Sequence, residues 1–286
     1  MRVSLFTRHL IQLNLAMLFI STSGVLGRFI TISPPLTIFF RALIAGIFLY
    51  LFCRIKNFKV FNLEKADVLS VFFSGLFMGI HWITYFYSLQ LSNVAIGMLS
   101  VFTYPVITAF LEPLILKTGF KTNQLLLAVL VVVGIYFLVP EFSFENKYTL
   151  AVGLGILSAF FYALRNILVK KQISKYQGSV LMWYQLVVVC VLLSPVIFFY
   201  PLEAIPSQLP AIIILALLTT AIGHSMYVMS FRFFSVTTAS IMGSLQPLYG
   251  ILLGFVFLRE YPSFETAVGG TLILISVILE GYRSYK

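Results

Sequence analysis

The segment Ser240-Ile241-Met242-Gly243-Ser244-Leu245-Gln246-Pro247-Leu248-Tyr249-Gly250 decides how the chain reads. It lies within a long apolar stretch, Ile222 to Leu279, and sets a proline among glycines, a glutamine and a tyrosine. In water this would be a broken core helix. In lipid, a helix interrupted by proline is tolerated where neighbouring side chains or a cavity satisfy the freed backbone groups. The same pattern occurs 142 residues earlier, around Pro105.

Composition chooses lipid as the solvent. Of 286 residues, 60% are hydrophobic and 10% charged, and the mean hydropathy is +1.02. Soluble domains carry roughly 25% charged residues, so this inventory cannot cover a water-facing surface. A formal charge of +10 would suggest nucleic acid in a soluble protein. Here it reads as the cytoplasmic excess of Lys and Arg in a membrane protein, with no nucleic acid partner. Cys53 and Cys190 have neither a disulfide nor a metal spacing, and no cofactor is implied. The apolar run after Arg8 continues past Ile20 without a convincing cleavage site, so it reads as a retained helix rather than a signal peptide.

A hydrocarbon layer of ~30 Å requires roughly 20 apolar residues per helix. Cutting at charges, Pro and Gly gives ten spans, near 9–30, 35–53, 67–89, 94–115, 123–140, 149–169, 178–200, 209–231, 236–258 and 265–282. The expected fold is an all-α integral membrane protein of ten transmembrane helices. With both termini cytoplasmic, the inner segments hold 14 of the 19 basic residues, from Arg2, Arg8 and Arg54 to Lys170, Lys175 and Lys286. Most carboxylates, including Glu141 and Glu260, then fall outside. This bias is the usual orientation signal.

A shift of 142 places Tyr85 on Tyr227, Ser88 on Ser230, Val94 on Val236, Pro105 on Pro247 and Lys117 on Arg259. A shift of 137 aligns the starts of the halves, with Arg28 on Arg165. Each half, 1–145 and 146–286, holds five spans, with the proline in the fourth. Five is odd, so the second copy lies upside down. Two inverted five-helix repeats are a construction of secondary transporters, whose solute site lies near the midplane.

Polar side chains at bilayer depth mark candidate sites. His81 and Tyr85 share a helix face, as do His224 and Tyr227. The two faces either line one cavity or merely satisfy backbone carbonyls. Arg165 either snorkels to the interface or attracts a solute carboxylate, and Arg41 reads as structural. Tyr104, Gln246 and Tyr249 flank Pro105 and Pro247, which are expected to kink their helices and act as hinges. Trp82, Tyr162, Trp183 and Tyr184 are candidates for stacking on a planar solute. Gly75 and Gly79, and Gly153 and Gly155, make small-residue faces for helix contact. The absence of a mid-membrane carboxylate argues against tight proton coupling.

The run from Tyr227 to Ser240, then Leu245-Gln246-Pro247, Leu258-Arg259-Glu260 and Gly269 to Leu274 resemble the C-terminal repeat of EamA-type proteins in the drug/metabolite transporter superfamily. Arg41-Ala42-Leu43, Tyr85 to Pro105 and Trp183-Tyr184-Gln185 resemble other parts of that family. Thr118 stands where the first repeat usually carries a glutamate, with Glu112 displaced inward. The resemblance implies a ten-helix exporter or metabolite carrier of the inner membrane, moving an amino acid or similar small metabolite. It is expected to be a monomer or weak homodimer with small-molecule solute and lipid as its partners. The rival classes are a membrane-embedded enzyme, for which no His-Glu-x-x-His, paired aspartates or Gly-x-Ser-x-Gly is present, and a channel, for which no filter is visible.

Overall fold

The computed structural model describes residues 5–117, 124–138, 143, 145–243 and 245–284. The expectations placed on Arg2, Thr118, Lys121, Glu141 and Lys286 lie outside these residues. Among those described the chain is helical, with no strand.

The helices are α1 (Leu5–Phe29), α2 (Pro34–Ile55), α3 (Val68–Leu91), α4 (Val94–Val101), α5 (Tyr104–Leu116) and α6 (Gln124–Leu138). They continue with α7 (Lys147–Gln172), α8 (Gly178–Leu193), α9 (Ile205–Ile214), α10 (Ser225–Ser230), α11 (Val236–Met242), α12 (Leu245–Leu258) and α13 (Phe264–Ser284). A π-helical stretch, Leu215–His224, joins α9 to α10.

Eight helical stretches are long and apolar enough to cross a bilayer, among them Val94–Leu116, Ile205–Ser230 and Val236–Leu258. Two shorter apolar helices, Val129–Leu138 and Phe264–Leu279, accompany them. The protein is therefore a multi-pass membrane protein.

The prolines do not kink continuous helices. Pro105 stands in the first turn of α5, after a break at Phe102-Thr103. Pro247 likewise stands in the first turn of α12, after the turn at Gly243. A missing N–H costs nothing in a first turn, where that donor has no helical partner anyway. The fourth span of each half is thus two short helices end to end.

The packing pattern survives exchange of the halves. α2 pairs with α8, and α6 with α13. α3 lies on α7 as the π-helical stretch lies on α1, and α5 lies on α7 as α12 lies on α1. α2 and α8 run antiparallel. Tyr50 and Trp183 have ring centroids 5.9 Å apart, while Gly46, one turn earlier, faces Leu186, one turn later. Trp183 and Tyr184 therefore pack beside Cys53, Val60 and Val180, with the Tyr184 hydroxyl donating to the Val60 carbonyl. They are not among the residues that line the central cavity.

Candidate functional site

The centre of the bundle encloses a cavity of about 20 Å³. Seven of the residues singled out from sequence line it: His81, Trp82, Tyr85, Tyr104, Tyr162, His224 and Gln246. Tyr227 stands one layer behind, its hydroxyl 3.4 Å from those of Tyr104 and Ser240. Tyr249 is half-buried and does not line the cavity. Pro105 and Pro247 are buried beside it, each starting a half-helix. Sequence reasoning missed Ile20, Ser23, Met98, Val101 and Phe102, which complete the wall. These come from α1 and from the α4–α5 break, where no charged or histidine side chain marks a site. A space this small holds about one water, so an organic solute requires the walls to move.

His81 is fixed by α7. The Ser158 hydroxyl donates its single proton to the His81 carbonyl at 2.8 Å. Nδ1 of His81, 2.7 Å from that hydroxyl oxygen, must then be the donor in the second bond, which leaves Nε2 as the acceptor. Its ring stacks on Tyr162 at 4.2 Å and lies parallel to Tyr85 at 6.1 Å. His224, at the end of the π-helical stretch, meets the edge of Trp82 at 5.5 Å.

Both deep arginines are fully buried, so Arg165 does not snorkel. It gives Nε to Gln185 Oε1 at 2.7 Å and Nη1 to Asn166 Oδ1 at 2.8 Å, with Nη2 3.4 Å from Met182 Sδ. Arg28 is quite different, its side chain one-third exposed and paired with Glu260. The shift of 137 that matched Arg28 to Arg165 joins residues in unlike surroundings. Arg41 donates Nε to Thr220 Oγ1 at 2.6 Å and lies 4.0 Å from the Trp82 ring centroid. The π-helical geometry sets Thr220 there, its hydroxyl also bonded to the carbonyl of Leu215, five residues back.

Two carboxylates tie the halves together at opposite ends of the α4–α5 span. Near its start, Glu260 accepts from the Val94 amide at 2.8 Å and from Arg28 Nε at 2.9 Å, while Arg28 Nη1 donates to the Gln90 carbonyl at 2.9 Å. Near its end, Glu112 accepts from the amides of Val236 at 3.1 Å and Thr237 at 2.9 Å and from the Thr237 hydroxyl. Lys170, within Coulombic reach of Glu112, donates to the carbonyls of Phe231 at 2.6 Å and Phe234 at 2.9 Å. At 1.5 Å per residue, Val94 and Glu112 stand about 27 Å apart along the span.

These two clusters are copies of one another at the shift of 142. Val94 matches Val236, and Arg28 matches Lys170. Asn93 and Ser235 are the matching N-caps, accepting from the matching amides of Ile96 and Thr238. Lys117 and Arg259 end α5 and α12 in the same left-handed conformation, φ 56° and 55°. Glu112 therefore supplies the carboxylate at the second half's helix start that Glu260 supplies at the first half's, although it sits six residues inward of the matching position, Thr118.

A larger hollow, about 470 Å³, lies between α1, α9 with the π-helical stretch, and α12. Thr22 is the one polar residue in its wall, so it offers a polar solute little to bind.

The family model described as EamA-like transporter family matches residues 8–139 and again 149–281. The chain belongs to the EamA-like transporter family. Its two matched segments coincide with the two halves whose contacts interchange. Among similar proteins, an uncharacterized transporter of Archaeoglobus fulgidus is 26% identical, with 84% of this chain and 85% of that one aligned. The pseudopaline exporter CntI of Pseudomonas aeruginosa is 21% identical, with 84% of each chain aligned. An uncharacterized transporter of Helicobacter pylori is 26% identical over half of each chain, so this chain spans about half its length. A solved structure titled only as a crystal structure of a protein shares the fold with a TM-score of 0.73 at 16% identity, covering 98% of this EamA-like chain and 99% of its own.

Proposed function

We propose that this EamA-like protein is a secondary carrier that moves a small metabolite, an amino acid or similar, across the inner membrane by alternating access, in the export direction. The observation that carries this reading is the pair of matching carboxylate clusters, one at each end of the α4–α5 span, with a small cavity lined by aromatic and polar side chains between them. In this reading all ten spans cross the bilayer, as inverted repeats 1–145 and 146–286 with both termini cytoplasmic. The Glu260 cluster is the outer gate and the Glu112 cluster the inner one.

Each gate joins a carboxylate of one half to a helix start of the other, where backbone N–H groups and the helix dipole favour an anion. Both are made here, and in this reading they seal the cavity. Opening one while the other holds would expose the His81–His224 region to one side only, which a carrier requires and an open pore does not. The exporter direction follows the CntI name and the family resemblance.

The test is counterflow of a panel of labelled metabolites into liposomes holding the purified protein, at several pH values. Saturable, trans-stimulated uptake of one class is expected. Unsaturable conductance would make the protein a channel, and covalent turnover of a solute would make it an enzyme.

A further inference from the structure

We propose that Arg41 binds a carboxylate of the transported solute, so that the cargo is a small organic acid with an apolar or aromatic body. The proposal rests on the carrier reading only in taking the central cavity as the solute site.

The two buried arginines differ in one decisive respect. Arg165 has each of its three nitrogens against a neutral acceptor from Gln185, Asn166 or Met182. Arg41 uses Nε alone, and its Nη1 and Nη2 are buried without a hydrogen-bond partner among the described residues. Those two nitrogens are part of the fork that recognises a carboxylate in bidentate fashion. No carboxylate among the described residues pairs with Arg41, since the ion pairs present join Arg28 to Glu260 and Lys175 to Glu64 and Asp67. A buried cation with neither counter-ion nor full hydrogen bonding is costly. A solute anion would relieve that cost only while bound, making it a source of selectivity.

The guanidinium stands one ring behind the cavity. Trp82 lines the cavity and carries Arg41 at 4.0 Å from its ring centroid. His224 also lines the cavity, meets the edge of Trp82 at 5.5 Å, and has a buried Nδ1 with no partner among the described residues. A turn of Trp82 brings the Arg41 fork onto the cavity wall, with His224 Nδ1 as a second donor when it carries the proton. Tyr85, Phe102 and Tyr162 supply flat surfaces for the body of the solute. Among the described residues no acidic side chain lines the cavity, so a free amine finds no counter-charge from them. The carboxylate is the recognised group.

The protein contains two tryptophans, Trp82 and Trp183, so Trp183→Phe leaves Trp82 as the only one, next to the guanidinium. Purified Trp183→Phe protein is titrated with phenylacetate, the isosteric neutral phenylacetamide and the cationic phenethylamine while Trp82 emission is followed. Saturable change with phenylacetate, at least tenfold tighter than with phenylacetamide or phenethylamine, is expected. Adding Arg41→Gln should abolish that tenfold preference, and Arg41→Lys should retain part of it. Equal binding of acid and amide, a preference unchanged in Arg41→Gln, or no saturable response to phenylacetate, benzoate or succinate would overturn the proposal. If neither Arg41 variant yields monodisperse protein, the acid–amide comparison on the arginine-intact protein decides alone. Absence of this selectivity in the arginine-intact protein, with counterflow intact, would sink the carboxylate proposal and leave the carrier standing, whereas absence of any saturable flux would sink the carrier reading itself.

Discussion

A buried carboxyl needs hydrogen-bond partners in place of the water it has lost. Glu112 has three donors, two amides and a hydroxyl, all from the start of α11. A third acidic cluster ties the halves together at the start of the Lys65–Leu91 span. The Asp67 carboxylate accepts from the Tyr176 hydroxyl at 2.8 Å and from Lys175 Nζ at 3.1 Å, while Glu64 takes Lys175 on its other side. Asp67→Ala removes the acceptor of both bonds and leaves the Tyr176 hydroxyl to the Glu64 amide alone. It should lower the melting temperature in detergent, whereas Glu64→Ala, at an exposed side chain, should change it little; melting the two variants side by side checks the contrast.

Helices in this bundle approach closely only where a side chain is missing. A Cβ at Gly155 of α7 would lie 2.4 Å from the Ser100 Cβ of α4, whereas one at Gly153 meets nothing within 4 Å. Overpacking a fitted contact costs roughly 1–3 kcal/mol. Gly155→Val should destabilise the protein by about that much, and Gly153→Val should leave stability nearly unchanged; denaturation of the two variants side by side checks the contrast. The pair also shows what sequence reveals at this scale. Gly153 and Gly155 look alike in the chain, but of the two only Gly155 joins the buried small-residue face with Ser158 and Ala159, because residues two apart on a helix point to different sides. Eight of the ten expected spans were legible because bilayer thickness fixes their length; the other two meet only the shorter apolar helices Val129–Leu138 and Phe264–Leu279 among the described residues. The breaks at Phe102-Thr103 and Gly243 were blurred, since a proline marks a disruption without saying whether it bends a helix or starts one. Most of the cavity wall was legible through its histidines and tyrosines. The unpartnered nitrogens of Arg41 were not legible, because a missing partner shows only in space; Glu112 was noticed as a displaced glutamate, but its hydrogen bonds to the start of α11 lie at an offset the sequence does not preserve.

Across the whole molecule, contacts between helices interchange when the halves are exchanged, and so do the details at the two ends. Asn93 and Ser235 cap, Val94 and Val236 donate, Arg28 and Lys170 hold carbonyls. In the proposed carrier this correspondence is the mechanism: one structural device used twice, facing opposite sides, with a cavity that neither side reaches while both hold. Weakening one device should bias the protein toward opening at that end and no other. Glu260→Gln removes the ion pair with Arg28, and Glu112→Gln removes one of the two oxygens that accept from the Val236 and Thr237 amides.

The most direct measurement places a cysteine at Ser23, on the cavity wall, with Cys53 and Cys190 replaced, and labels it in vesicles of known sidedness with a membrane-impermeant maleimide. The account predicts labelling mainly from outside in the Glu260→Gln protein and mainly from inside in the Glu112→Gln protein, with little from either side in the parent. Labelling from the same side in both variants, or from both sides at once, would contradict it.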